Sequence, residues 1–151
     1  MPRRARPRAA YAILRARMPR DKLDLAKRFV EVYNRRDVDG AFAEFVTPDF
    51  EWWPALTMAL TGDCYRGREG VERFVADMSE NWEELQIVPE EFRDLGDRVL
   101  TLSRLKGRGK GSGAPVDQPT ATILDFRGDR IWRLRAYFDR AGGLRAAGLS
   151  E

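Results

Sequence analysis

The chain has 151 residues, 27 of them Lys or Arg and 24 Asp or Glu, which gives a formal charge of +3 and a pI of about 9.3. The basic excess lies at one end: residues 1–20 hold seven Arg and no carboxylate, leaving 20 basic against 24 acidic residues, net −4, in residues 21–151. Histidine is absent and Cys64 is the only cysteine, which excludes Ser-His-Asp and Cys-His nucleophilic schemes, His-ligated zinc, axial-His haem and an internal disulfide.

Taken from the N-terminus, residues 1–20 form an Arg-rich segment around a short apolar island, Ala9 to Leu14. It reads as a disordered or dispensable tail, or alternatively as a basic arm for nucleic acid or an anionic surface. Because Arg outnumbers Lys 23 to 4 across the chain, compositional bias accounts for much of the charge and nucleic-acid binding is not favoured. The remaining length suits one domain, residues 21–149. The longest apolar stretch, Trp52 to Leu60, is interrupted by Pro54 and Thr57 and falls short of the roughly 20 residues of a membrane-spanning helix. A single cysteine fits a reducing cytoplasm.

Asp21 is placed to cap a first helix whose apolar residues, Leu23, Ala26, Phe29, Val30 and Tyr33, recur at helical spacing up to Asn34. Asp37 can cap a second, short helix carrying Val38, Ala41, Phe42 and Phe45, ended by Thr47-Pro48-Asp49. Phe50 to Trp53 reads as a strand stopped by Pro54, and Ala55 to Gly67 as a connection. Val71, Phe74, Val75, Met78 and Trp82 then mark one face of a third helix. Four strands follow, Leu85–Asp94, Arg98–Arg108, Val116–Arg127 and Arg130–Phe138, separated by short turns such as Leu95-Gly96-Asp97 and Arg127-Gly128-Asp129. Gly107 to Gly113 has the look of a phosphate loop but lacks its spacing and a following helix, so it reads as a hairpin tip. Asp139 caps a last short helix through Leu144. Helices followed by an antiparallel meander predict an α+β domain with helices on one face of a sheet.

Several phrases occur along this order: Tyr33-Asn34-Arg35-Arg36-Asp37-Val38-Asp39-Gly40-Ala41, Thr47-Pro48-Asp49-Phe50-Glu51-Trp52, Tyr65-Arg66-Gly67-Arg68-Glu69-Gly70-Val71 and Tyr137-Phe138-Asp139-Arg140-Ala141. With them the chain resembles the SnoaL-like branch of the nuclear transport factor 2-like superfamily. The resemblance covers residues 21–149. It implies a cone, in which a strongly curved, mostly antiparallel sheet wraps three helices, with a short C-terminal helix, an apolar pocket in the open end and a homodimer through the outer sheet face.

That superfamily contains isomerases, cyclases, hydrolases, dehydratases and non-catalytic binders, so function rests on the pocket residues. Carried onto this chain, the ketosteroid-isomerase positions for the helix Tyr, the Asp base and the protonated Asp fall at Phe29, Trp53 and Thr122, none of which keeps the chemistry. The last-strand aspartate of limonene-epoxide hydrolases falls at Ala136, and the cyclases and scytalone dehydratases use a His that is absent here. The same carry-over turns Thr120, Thr122, Leu124 and Phe126, then Trp132, Leu134, Ala136 and Phe138, into the cone, with Glu51 and Trp53 inward on the first strand and Tyr65 near the mouth. The expected ligand is therefore a hydrophobic small molecule of polyketide, terpenoid or steroid type. Phe29, Trp53, Tyr65, Leu124, Trp132, Ala136 and Phe138 are the expected contacts. If the protein is a catalyst, Glu51 is the candidate base and Tyr33 or Thr122 the hydrogen-bond donor, in a cofactor-independent and metal-free isomerisation, cyclisation or dehydration. A non-catalytic binder or carrier is the alternative. Arg133 and Arg135 are expected on the outer face beside Tyr137, paired with carboxylates across a dimer interface, and Cys64 as an unactivated thiol.

Overall fold

The computed structural model describes residues 21–55 and 61–149; the Arg-rich tail lies outside them. Asp21 accepts a hydrogen bond from the Leu23 N–H and opens α1, Lys22–Asn34. Asp37 caps α2, Val38–Gly40, by accepting from the Gly40 N–H, and the chain continues through one wide π-helical turn, Ala41–Phe45. Strand β1, Val46–Trp53, follows without a break, so Thr47-Pro48-Asp49 lies inside the strand instead of ahead of it. After β2, Tyr65–Arg66, comes α3, Gly67–Asn81, then β3, Trp82–Asp94, β4, Arg98–Gly109, β5, Pro115–Arg127, and β6, Arg130–Tyr137. Asp139 caps α4, Arg140–Ala146, through the Ala141 N–H.

The six strands make one sheet in the order β2-β1-β6-β5-β4-β3, antiparallel except where β1 runs parallel to β6. The β5–β6 turn needs Gly128 at φ +64°, a conformation glycine adopts without penalty. The sheet is curved, and α1 and α3 fill its concave side, so the molecule is the cone that the resemblance implies. Leu25, Ala26 and Phe29 of α1 and Phe74 of α3 are buried there against Phe50, Trp52, Leu124 and Leu134.

The end of α1 is tied to the sheet by polar side chains. The Asn34 amide donates to the Ile87 carbonyl at 2.9 Å and its oxygen accepts from the Ile87 N–H at 2.8 Å. Arg36, held at φ +57°, donates to the carbonyls of Tyr33 and Leu85. On the convex side a second small core forms where α4 covers Leu100, Ala121 and Ile123. Gly143 permits this approach, since a Cβ there would stand 2.5 Å from that of Ala121. The outer sheet face is thus partly occupied by the chain's own C-terminal helix.

Two irregularities interrupt the pairing of β1, β5 and β6. Between β1 and β6 the register runs from Val46 opposite Ile131 to Glu51 opposite Arg133, so β1 carries extra residues around Pro48. Between β5 and β6, Asp125 pairs with Arg133 but Phe126 with Ile131, which leaves Trp132 as one extra residue in β6. The β6 bulge reverses the facing beyond it, so that Ile131 and Leu134 both turn inward, whereas Val46, Phe50 and Trp52 stay on the concave side throughout β1.

Candidate functional site

A cavity of about 390 Å³ lies between the curved sheet and the helices. From α1 it is lined by Ala26, Phe29, Val30 and Tyr33, and from α3 by Phe74 and Met78. Trp52, Pro54 and Ala55 close one side, and Trp82, Leu85 and Ile87 of β3 another. The sheet wall presents Thr101, Ser103 and Leu105 from β4, Val116, Gln118, Thr120, Thr122 and Leu124 from β5, and Leu134 and Ala136 from β6, with Phe138 just beyond. No Asp, Glu, Lys, Arg or Cys is among them. Among the described residues there is also no group of acidic or sulfur side chains able to hold a metal ion.

Of the residues expected in this space, Phe29, Tyr33, Thr122, Leu124, Ala136 and Phe138 line it, and Glu51, Trp53, Tyr65 and Trp132 do not. Glu51 and Trp53 are corrected by plain alternation along β1: Phe50 and Trp52 join Val46 in the concave-side core, so Glu51 and Trp53 face the convex side. There Glu51 accepts from the Trp53 Nε1 at 3.1 Å and from Arg66 at 2.9 Å. A carboxylate held by a guanidinium outside the cavity cannot serve as base to a molecule inside it. Trp132 is the bulged residue of β6: Ile131 takes the inward place, and the indole lies outside between the guanidiniums of Arg127 and Arg133, 5.2 and 4.5 Å from its ring. Tyr65 faces the same way as Trp52 but stacks on Phe74 at 5.4 Å and donates its hydroxyl to Asp77.

Trp52, which went unrecognised in favour of Trp53, is central to the aromatic wall. Its ring meets Tyr33 edge-on at 5.8 Å and Phe74 at 5.4 Å. Two adjacent tryptophans before a proline gave alternation no means of choosing between them. Thr101 and Ser103 were also missed, although their alternation with Leu100 and Leu102 carried the signal.

Tyr33 is the cavity's one side chain with an accessible titration. Burial pushes its phenol up to about 12, against the opposing pull of the nearby Arg36 charge. The hydroxyl therefore stays a neutral donor across the physiological range. In the unfolded chain the phenol titrates near its ordinary 10, so the folded form holds the proton more tightly. The stability this contributes is complete below pH 10 and is lost as pH rises through 12, up to about 3 kcal/mol in all and about 1.4 kcal/mol by pH 11. Urea unfolding between pH 9 and 11 should show this loss in the native chain and not in Tyr33→Phe; equal slopes would place the phenol in water.

On the convex face Asp125, 7% exposed at its side chain, accepts from Arg133 at 2.9 Å and Arg135 at 3.1 Å, with Arg98 at 3.8 Å. The carboxylates that meet Arg133 and Arg135 are thus supplied within the chain. Cys64 is a free, partly covered thiol whose pKa is raised by burial, the opposite of activation.

A cone of helices in a curved sheet around an apolar cavity defines the nuclear transport factor 2-like class of fold. The chain belongs within it to the SnoaL-like domain family, whose sequence profile matches residues 26–134. Solved structures agree on the fold. A nuclear transport factor 2-like protein of unknown function from Burkholderia pseudomallei is 22% identical, with 82% of this chain and 95% of that one covered at a TM-score of 0.68. TerC, co-crystallized with polyporic acid, is 19% identical over 84% of this chain and 98% of its own, at 0.67. A putative SnoaL-like polyketide cyclase from Jannaschia is 20% identical over 80% and 90%, at 0.62. No curated protein sequence matches the chain. Among the described residues no helix is long and apolar enough to cross a membrane.

Proposed function

We propose that the chain binds an uncharged hydrophobic small molecule in the cone cavity and carries or senses it without chemical change. The observation that supports this reading is the lining itself: aromatic and aliphatic side chains with neutral hydroxyls and one amide, and no group among the described lining residues that exchanges a proton near neutrality. The volume lies within the range of small-molecule sites, roughly 300–1,000 Å³. The naming of one neighbour as a putative SnoaL-like polyketide cyclase favours a polyketide-like ligand over a terpenoid or steroid. Isomerisation, cyclisation or dehydration by proton transfer is the rival reading. In it Tyr33 and Thr122 supply hydrogen bonds, but the base must come from water or the ligand, because Glu51 is committed to Arg66.

Two further parts belong to the proposal. A second copy docks on the part of the convex face that α4 leaves open. In support, the three guanidiniums around Asp125 meet only Asp125 and, at Arg98, Asp97, which leaves one positive charge for an acidic group of that copy to balance. A cytoplasmic place of action is supported by the lone cysteine. Native mass spectrometry of the freshly purified chain tests ligand and assembly together. The expected result is a dimer carrying a small organic molecule that solvent extraction releases and that is recovered unaltered after prolonged incubation with the protein. Conversion of that molecule would replace the carrier reading with the enzyme, and a monomer at micromolar concentration would remove the dimer.

A further inference from the structure

We propose that Thr101, Ser103 and Trp52 form a hydrogen-bond-donating subsite, so that the cavity selects an uncharged ring compound bearing carbonyl oxygen over a plain hydrocarbon. This rests on the binding reading above and deepens it. Thr101, Ser103 and Trp52 are 3%, 1% and 7% exposed, all three line the cavity, and the Oγ1, Oγ and Nε1 atoms have no hydrogen-bond partner among the described residues. Buried polar atoms are nearly always paired, so each exception calls for an explanation. Here three exceptions border one empty space.

Their arrangement narrows what they would bind. Thr101 and Ser103 stand two residues apart on β4 and so share a face, opposite Thr122 and Thr120 of β5. The four make a two-by-two patch of hydroxyl-bearing residues in an otherwise largely apolar wall. Thr120 is already engaged, donating to the Ser103 carbonyl at 3.3 Å, whereas the hydroxyl of Ser103 itself is not. All three orphan atoms, the Trp52 Nε1 included, are covered by neighbouring protein atoms. For Thr101 and Ser103 a change of χ1 rotamer is the motion that would present the hydroxyl to a ligand. An indole N–H only donates, and a hydroxyl donates or accepts, so the partner common to all three is an acceptor oxygen. A carboxylate would also accept, but among the described residues no cation lines the cavity to offset its desolvation. A neutral carbonyl satisfies both conditions.

Fluorene and 9-fluorenone, which share a ring system and differ by one carbonyl oxygen, test the subsite by titration calorimetry. The native chain should bind the ketone about tenfold more tightly than the hydrocarbon, the worth of one ordinary hydrogen bond. Thr101→Val combined with Ser103→Ala should erase most of that preference, read as the ratio of the two affinities within the variant, and raise Tm, because two unpartnered polar atoms have been removed. Ser103→Ala alone should show the same pattern at smaller size and keeps the test alive if the double variant folds poorly. A native chain that binds both compounds equally, a preference that survives in the variants, or a fall in Tm would overturn the subsite and leave the binding reading standing. Failure of the native chain to bind either compound would overturn the binding reading as well.

Discussion

Asp125→Ala should lower folding stability by about 3–5 kcal/mol, the usual cost of removing one partner from a buried ion cluster, and Tm by roughly 10 °C. The carboxylate holds two guanidiniums within 3.1 Å and a third at 3.8 Å, in a place where Arg135 is only 18% and Arg133 29% exposed at the side chain. Without it Arg133 and Arg135 lose their carboxylate and repel each other and Arg98, which keeps only Asp97, at sites still open enough for ions to approach. High salt should therefore restore part of the loss, and Asp125→Asn, which keeps an acceptor oxygen and not the charge, should fall between. Thermal unfolding at low and high salt measures both. A loss below about 1 kcal/mol would mean that the arginines are solvated and that the cluster is an ordinary surface network.

Phe74→Ala should cost a similar amount, about 3–5 kcal/mol, through a different cause. The Phe74 ring is 5% exposed and meets Tyr33, Trp52 and Tyr65 at centroid distances of 6.2, 5.4 and 5.4 Å. Truncation removes three aromatic contacts and opens the cavity into the space behind them, so ligand affinity should fall together with stability. Phe74→Leu keeps most of the volume and should cost under about 1.5 kcal/mol. Denaturant midpoints for the two variants decide the matter: equal losses would mean that the ring's volume is not what stabilises the helix against the sheet.

Much of this architecture was legible because local chemistry and tertiary demand agree. Asp21, Asp37 and Asp139 each stand one residue before a helix and each accepts from a backbone N–H of its first turn. Phe74 and Met78 of the α3 stripe line the cavity, while Trp82, expected at the end of that stripe, opens β3 instead, and the Gly-Asp turns separate strands within a few residues of their expected ends. The site was less legible. Facing alternates along a strand only until a bulge intervenes, and β6 carries one. Counting from Phe138 places Ala136 and Leu134 correctly and then fails at Trp132, one residue past the point where pairing slips. In β1 the carried-over placement is off by one residue: Val46, Phe50 and Trp52 share the concave side and Glu51 is a convex-face partner of Arg66, which removes the only carboxylate expected in the pocket. The hydroxyl patch escaped notice because Thr and Ser in a strand read as ordinary half-buried positions until their lack of partners is seen.

The amide clamp of Asn34 on β3 bears on how this chain meets copies of itself. β3 is the last strand of the sheet, and an unshielded last strand invites another chain to pair with its free backbone groups. Asn34 uses both groups of Ile87, and Arg36 takes the carbonyl of Leu85. Further along, Glu90, Glu91 and Arg93 place charge on the same border, and the opposite border is the two-residue β2. Neither border offers a long, bare template for fibril growth. Exchange of Asn34 for a residue unable to make both bonds would expose such a template before it disturbed the cavity, so the first sign of its loss should be slow aggregation of a protein that still binds its ligand.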